Sequence, residues 1–182
     1  MDTRIKTDTT SDVLLSAEVV QFIKFEDTAE LPEMELIDNM IRACRVHFEK
    51  RLGLSFIEKT YETFFSCSET PFILPVSPVI DVSKVETVSY EGTKTELVLN
   101  IDYRKSGLYE IEITPSLGGY YDLLVTYTAG YGHDDTEELP YDLRQAMLRQ
   151  IIQWYENRDD FSEFNILPGI DKIANRYRKL FI

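Results

Sequence analysis

Residues Val125 to Leu139 read VTYTAGYGHDDTEEL, and whether this stretch is a site or a junction decides how the chain on either side is read. Val125 and Tyr127 alternate with Thr126 and Thr128 in the period of two that marks a strand. Gly130 and Gly132 then allow backbone angles that other residues avoid. His133, Asp134 and Asp135, with Glu137 and Glu138 close behind, are the residue types that hold a hard or intermediate metal through oxygen and imidazole. The order lacks the alternating acids and central glycine of a calcium loop. AGYG has no following lysine and serine or threonine to complete a phosphate loop, and the carboxylates after it repel a phosphate. The stretch is therefore read as a junction that ends a β segment and places acids ahead of a helix N-terminus, where the helix dipole favours them.

Helical spacing follows at once. Pro140 suits a first helical position, where its missing N–H would be unpaired anyway. In PYDLRQAMLRQIIQWYENR the apolar stripe is Leu143, Ala146, Met147, Ile151, Trp154 and Tyr155, with Asp142 in the first turn. Trp154 and Tyr155 are read as core rather than as a sugar platform. Residues 159–169 break the pattern, and a last helix is expected over Ile170–Leu180, with Ile173, Ala174, Tyr177 and Leu180 on one face and Lys172, Arg176 and Lys179 beside it.

Upstream of the junction, short β-branched and aromatic runs are expected to form strands at Ile57–Phe65, Phe72–Leu74, Val85–Tyr90, Glu96–Leu99, Tyr109–Thr114 and Tyr121–Thr128. Pro71, Pro75, Pro78 and Pro115 fall at their edges, where a missing amide does least harm. Before them, Leu36, Ile37, Met40, Ile41, Cys44, Phe48 and Leu52 recur at helical steps from Glu33 to Leu52, and Gly53 stands where a left-handed terminator belongs. A shorter helix, SAEVVQFIKF, starts with Ser16 as N-cap. Residues 1–12, polar and without periodicity, are read as a flexible tail.

The order helix, helix, strands, helix, helix carries no βαβ rhythm and no fixed repeat, so the fold class is α+β. The expectation is a helical bundle of about four helices with a small antiparallel β module inserted between the second and third. In residue terms the bundle is 13–55 and 139–182 and the β insertion is 56–128.

The formal charge of −13 and pI near 4.6 make the average surface repel nucleic acid phosphates, because tight binding there depends on lysines and arginines displacing counterions. The two cysteines, Cys44 and Cys67, have no spacing that suggests zinc or a redox pair, which fits a reduced cytoplasmic origin. The first residues lack the apolar core of a signal peptide, and no apolar run approaches a membrane span.

His47 has no serine or cysteine in a triad order near it and is read as a surface or interface residue. Asp159 with Asp160, and Glu110 with Glu112, are solvated acids unless a cleft holds them. No catalytic, metal or cofactor residue is assigned. The ending DKIANRYRKLFI reverses the charge of the chain. Docking on an acidic or grooved partner, and a helix whose cations favour its C-terminal end, both account for it.

Taken in order, LIDNMIRACRVHFEKRLGLSF, FILPVSPVIDVSKVETVSY, VTYTAGYG, LPYDLRQAMLRQIIQWYENR and RYRKLF resemble the head-tail connector, or adaptor, proteins of tailed double-stranded DNA phages. The likeness runs from about Leu14 to Phe181, and it rests on order and spacing, since each piece is short. It implies a non-enzymatic structural protein of the virion, with 13–182 as one connector domain. Assembled in the host cytoplasm, such a protein forms a ring of about a dozen copies below the portal after DNA packaging. The ring then offers the platform for tail attachment and meets a tail-completion or stopper protein. DNA passes through its channel without specific binding, and no membrane or cofactor is involved.

The portal-docking element that the resemblance implies is Arg176, Tyr177, Arg178, Lys179, Leu180, Phe181 and Ile182. Gly53, Gly130, Gly132, Pro140, Trp154 and Tyr155 are structural. The acidic stretch DDFSEF and the Thr-rich N-terminus depart from the commoner pattern. Rival readings are a tail-completion or tail-associated binding module and a small hydrolase using the acidic loop.

Overall fold

The computed structural model describes residues 1–7, 13–14, 16–23, 31–66, 72–107, 110–113, 122–132, 138–158 and 166–177. Among these the fold is α+β, with four helices and eight strands. Backbone contacts gather the chain into two compact units: Met1–Thr9 with Glu58–Asp134, and Thr10–Ile57 with Asp135–Ile182.

The first unit is built of strands β1 (Asp2–Thr7), β2 (Lys59–Phe65), β3 (Phe72–Ile73), β4 (Val79–Val88), β5 (Lys94–Glu96), β6 (Tyr103–Ser106), β7 (Glu110–Ile113) and β8 (Asp122–Ala129). Five of them form one sheet in the order β1-β2-β8-β4-β5, and three form another in the order β3-β7-β6. Every pairing between these strands is antiparallel. Across the larger sheet Tyr61 lies opposite Tyr127, Thr63 opposite Val125 and Phe65 opposite Leu123. Because side chains alternate along a strand, this register puts one row of residues on one face. Tyr61, Phe65, Leu123, Val125 and Tyr127 share a core with Phe72, Leu74, Val85, Tyr103 and Ile111. The Tyr61 and Tyr127 rings stack at 5.7 Å, and Phe65 meets Phe72 edge-on at 5.6 Å. Burial pushes the Tyr127 phenol up to about 12, against the opposing pull of its bond with Thr63.

This corrects three expectations. The β part is larger than a small module, and it is not simply inserted between two helices, since its first strand comes from the chain's start. Asp2–Thr7 is not a flexible tail: it pairs with β2 from Asp2↔Phe64 to Thr7↔Thr60, with a bulge between Ile5 and Thr7. Its sequence is polar, so the ladder and charge, not apolar burial, hold it: Arg4 donates to Glu62 from Nε (2.9 Å) and Nη2 (2.5 Å), Lys6 reaches the same carboxylate at 3.0 Å, and the Thr3 and Thr63 hydroxyls lie 2.9 Å apart. Residues 8–12 lie outside the described residues. Within the sheet, β4 starts at Val79 rather than Val85, and β6, whose YRKS gives no apolar signal, was not expected.

The second unit consists of α1 (Ser16–Ile23), α2 (Leu31–Leu52), α3 (Tyr141–Glu156) and α4 (Pro168–Ala174). Their apolar stripes meet in a core of Val19, Ile37, Ile41, Cys44, Phe48, Leu52, Leu143, Met147, Ile151 and Trp154. The buried Cys44 thiol donates to the Met147 carbonyl at 3.9 Å, and desolvation raises its pKa. Arg144 of α3 grips the Glu18 carboxylate of α1 at 2.5 and 2.6 Å. Arg51 of α2 does the same to Asp171 of α4 at 2.9 and 2.6 Å. Ser16 is the first residue of α1 rather than its cap, and its hydroxyl donates to Asp38 on α2.

The end of α2 follows the expected logic. Gly53 adopts φ 67, and the Glu49 carbonyl accepts its N–H at 3.0 Å. The Glu49 carboxylate accepts the Phe56 N–H at 2.8 Å, closing the turn beyond the helix. Pro140 precedes α3 as its N-cap position rather than opening it, and its carbonyl accepts the Arg144 N–H at 3.1 Å. The first-position proline is found instead at Pro168, where α4 begins two residues earlier than expected and ends at Ala174.

Candidate assembly surfaces

The basic ending is where the sequence pointed, and the structure describes it as far as Tyr177. Buried Gln150 on α3 prepares the approach: its Oε1 accepts the Leu167 N–H at 3.0 Å while its Nε2 donates to Gln153 at 2.8 Å. The short α4 follows, and the Asn175 and Arg176 amides donate to the Asp171 and Ile173 carbonyls at 2.9 and 3.1 Å. Tyr177 packs against the helical core, and its phenol donates to Asp142 at 2.6 Å. Arg176 is exposed. The last hydrophobic anchor therefore holds one end of the segment at a fixed place on α3. Arg178, Lys179, Leu180, Phe181 and Ile182 lie outside the described residues.

Trp154 and Tyr155 are buried in the helical core. Arg158 lies over the Tyr155 ring at 4.8 Å, a cation–π contact that draws on the ring's quadrupole. His47 is exposed and meets Trp154 edge-on at 6.3 Å. Gly130 and Gly132 have φ 138 and 88, and the Gly130 N–H donates to the Pro78 carbonyl at 2.9 Å, which turns the chain away from β8. His133, Asp134, Asp135 and Glu137 lie outside the described residues, as do Cys67, Asp159 and Asp160. Glu110 and Glu112 both belong to β7, and Arg104 and Ser106 hold the Glu112 carboxyl below the usual range.

Sequence reasoning missed the exposed apolar turns of the sheet unit. Glu96–Leu99 was expected as a strand, yet only Leu97 is buried, while Val98, Leu99 and Ile101 stand exposed on a tight turn. The turn is self-fastened: Asp102 accepts the Val98 N–H at 2.8 Å, the Asn100 N–H donates to the Tyr103 carbonyl at 2.7 Å, and Asn100 takes φ 66. Tyr90 is fully exposed on the neighbouring β4–β5 hairpin, where the Gly92 and Ser89 amides close the turn at 2.9 Å each. The signal available was Asn100, a residue type that tolerates the left-handed region and so favours a turn over a strand.

Apolar side chains displayed on turns of the sheet unit, and separately a basic ending anchored in the helical unit, are features that suit contact with other proteins. Comparison with protein families makes the class specific. The family model described as head completion protein matches residues 13–167, and the chain belongs to the head completion protein family. Its role is structural. Among solved structures, a chain in the virion of a native gene transfer agent particle aligns with a TM-score of 0.77 at 22% identity, covering 100% of this chain and 97% of that one. A chain in the neck of the empty particle, computed with C6 symmetry, gives the same four values. A chain in the neck of the native particle, computed with C12 symmetry, gives a TM-score of 0.71 with the same identity and coverage. A comparison with curated proteins found no match.

Proposed function

We propose that the protein closes the head-tail junction of a phage or phage-like particle as a ring beneath the portal, formed once DNA has been packaged, and that it offers the tail its platform. Membership of the head completion family is the observation that carries this reading. Support comes from the necks in which chains of the same fold are found, one of them computed with C12 symmetry. A ring of about a dozen copies needs two different surfaces per subunit rather than one self-matching patch. The net charge of −13 suits a channel through which DNA slides, since cationic contacts are what create affinity for phosphates. The protein acts by assembly and not by catalysis.

The portal is the partner assigned to Arg176 through Ile182, with a tail-completion or stopper protein on the opposite side. The Tyr177 anchor sharpens the test of that assignment. A chain ended after Tyr177 keeps its bond to Asp142 and its place on the helical core, and loses only residues 178–182. Electron microscopy of portal-bearing heads mixed with the full chain is expected to show a ring on the portal's outer end. The shortened chain is expected to remain folded by circular dichroism and to leave the portal bare. Unaltered portal binding would overturn the docking role. A ring found only on tails would favour the tail-completion reading.

A further inference from the structure

We propose that neighbouring copies in the ring join through the outward stripe of α2 on one copy and the apolar turns around Val98–Ile101 on the next. The proposal rests on the ring reading above and names the two surfaces that such a ring requires.

The α2 helix is apolar on two sides. One side, with Ile37, Ile41, Cys44, Phe48 and Leu52, fills the helical core. At 3.6 residues per turn, Leu36, Ala43 and Val46 fall together on another side, and all three are exposed, Leu36 at 37% and Val46 at 40%. The same side carries Asn39, His47 and Lys50, and at its border the acid Glu35 is matched by Arg42. In a chain of net charge −13, two copies repel over most of their surface, and contact is favoured where acids are balanced by bases. The outward stripe of α2 is such a place.

The second surface lies on the sheet unit. Val98 is 52% exposed and Ile101 66%, with Leu99 between them. The turn is closed by its own hydrogen bonds, so its backbone is already ordered and less conformational entropy remains to be lost when it is covered. From Ser89 to Gly107 three acids, Glu91, Glu96 and Asp102, are balanced by three bases, Lys94, Arg104 and Lys105. This segment is neutral, and Asp102 within the turn carries the charge opposite to Lys50 on α2. Two different surfaces, an aliphatic helix stripe that includes Lys50 and an aliphatic turn that includes Asp102, are what a head-to-tail ring contact uses.

Addition of strands edge to edge is the competing way to join copies, and the outer strands oppose it. β1 carries Arg4, Lys6 and a bulge, and β5 is three residues long. Charged, kinked and short edges are the features that block strand addition.

The test uses the full chain on portal-bearing heads. Val46→Asp and Leu99→Asp are each expected to raise the concentration needed for half-complete rings at least about tenfold, as loss of a buried apolar anchor does, with unchanged thermal unfolding because both positions are exposed. As a second reading, a Cys67→Ser chain carrying Val46→Cys and Leu99→Cys is treated with a bis-maleimide. Dimers, trimers and higher steps are expected on a denaturing gel, and each single cysteine variant should give no step beyond the dimer. If the wild-type chain forms rings and the aspartate variants form them equally well, with no ladder, this pair of surfaces is wrong while the ring stands. If the wild-type chain forms no ring on portals at any concentration, the ring reading itself fails and this inference with it.

Discussion

The Tyr177 phenol donates to the Asp142 carboxylate at 2.6 Å, fastening the turn after α4 to the first turn of α3 across 35 residues of chain. Hydrogen bonds to a charged acceptor contribute more than neutral ones. Tyr177→Phe keeps the ring against the core and removes only the hydroxyl. It is expected to destabilise the helical unit by about 1 to 2 kcal/mol, read from the urea midpoint at constant m. If that segment docks on the portal, the same change should weaken portal binding more than it lowers stability, because the segment leaves from a less fixed point.

The β1 strand should respond to acid. Arg4 first, then Lys6, hold the Glu62 carboxyl below the usual carboxylate range, and Arg104 and Ser106 do the same for Glu112. A carboxyl whose pKa is lower folded than unfolded contributes stability above its unfolded value, and that contribution is lost as pH falls through the folded one. The sheet unit should therefore weaken from about pH 5 downwards. Glu62→Gln with Glu112→Gln should flatten this slope, and amide exchange in Asp2–Thr7 should then vary little with pH. An unchanged slope in the double variant would argue against the ion pairs as its source.

Gln150 is buried and satisfies the Leu167 N–H from inside the helical core. Gln150→Leu preserves size but leaves that amide without its side-chain acceptor. The expected cost is about 1 to 3 kcal/mol. Chemical denaturation gives the number, and a change under about 0.5 kcal/mol would mean that another group or water takes over the amide.

Gly53 ends α2 at φ 67, where a Cβ meets the following carbonyl. Gly53→Ala is expected to cost about 1 to 2 kcal/mol, and Gly53→Asn less, since asparagine tolerates this region. Thermal unfolding of the pair checks the order.

The helices α2 and α3 could be read from the sequence because their stripes are local: Ile37, Ile41, Cys44 and Phe48, or Leu143, Met147, Ile151 and Trp154, report their face within a few residues. β1 could not. DTRIKT has little apolar character, and what makes it a strand is a partner about sixty residues away, Thr3 opposite Thr63, so no window of sequence contains the cause. The same holds for the site. The charge reversal at Arg176–Ile182 is written in composition, whereas the bond that positions it joins Tyr177 to Asp142 in a different helix. Val98, Leu99 and Ile101 differ for a further reason: an apolar run signals burial on average, and the turn at Asn100, with φ 66, leaves these three exposed.

Because β1 belongs with strands that begin at Lys59, and α1 and α2 belong with a helix that begins at Tyr141, neither unit is a continuous piece of chain. During synthesis β1 must wait for β2, and the sheet cannot be completed until β8 has followed. The first two helices wait longer still, for α3 and α4. Contacts of such long sequence separation come late and slowly. Both units are therefore expected to reach their native form only after the later strands and helices have been made, which keeps unfinished copies from presenting a completed assembly surface.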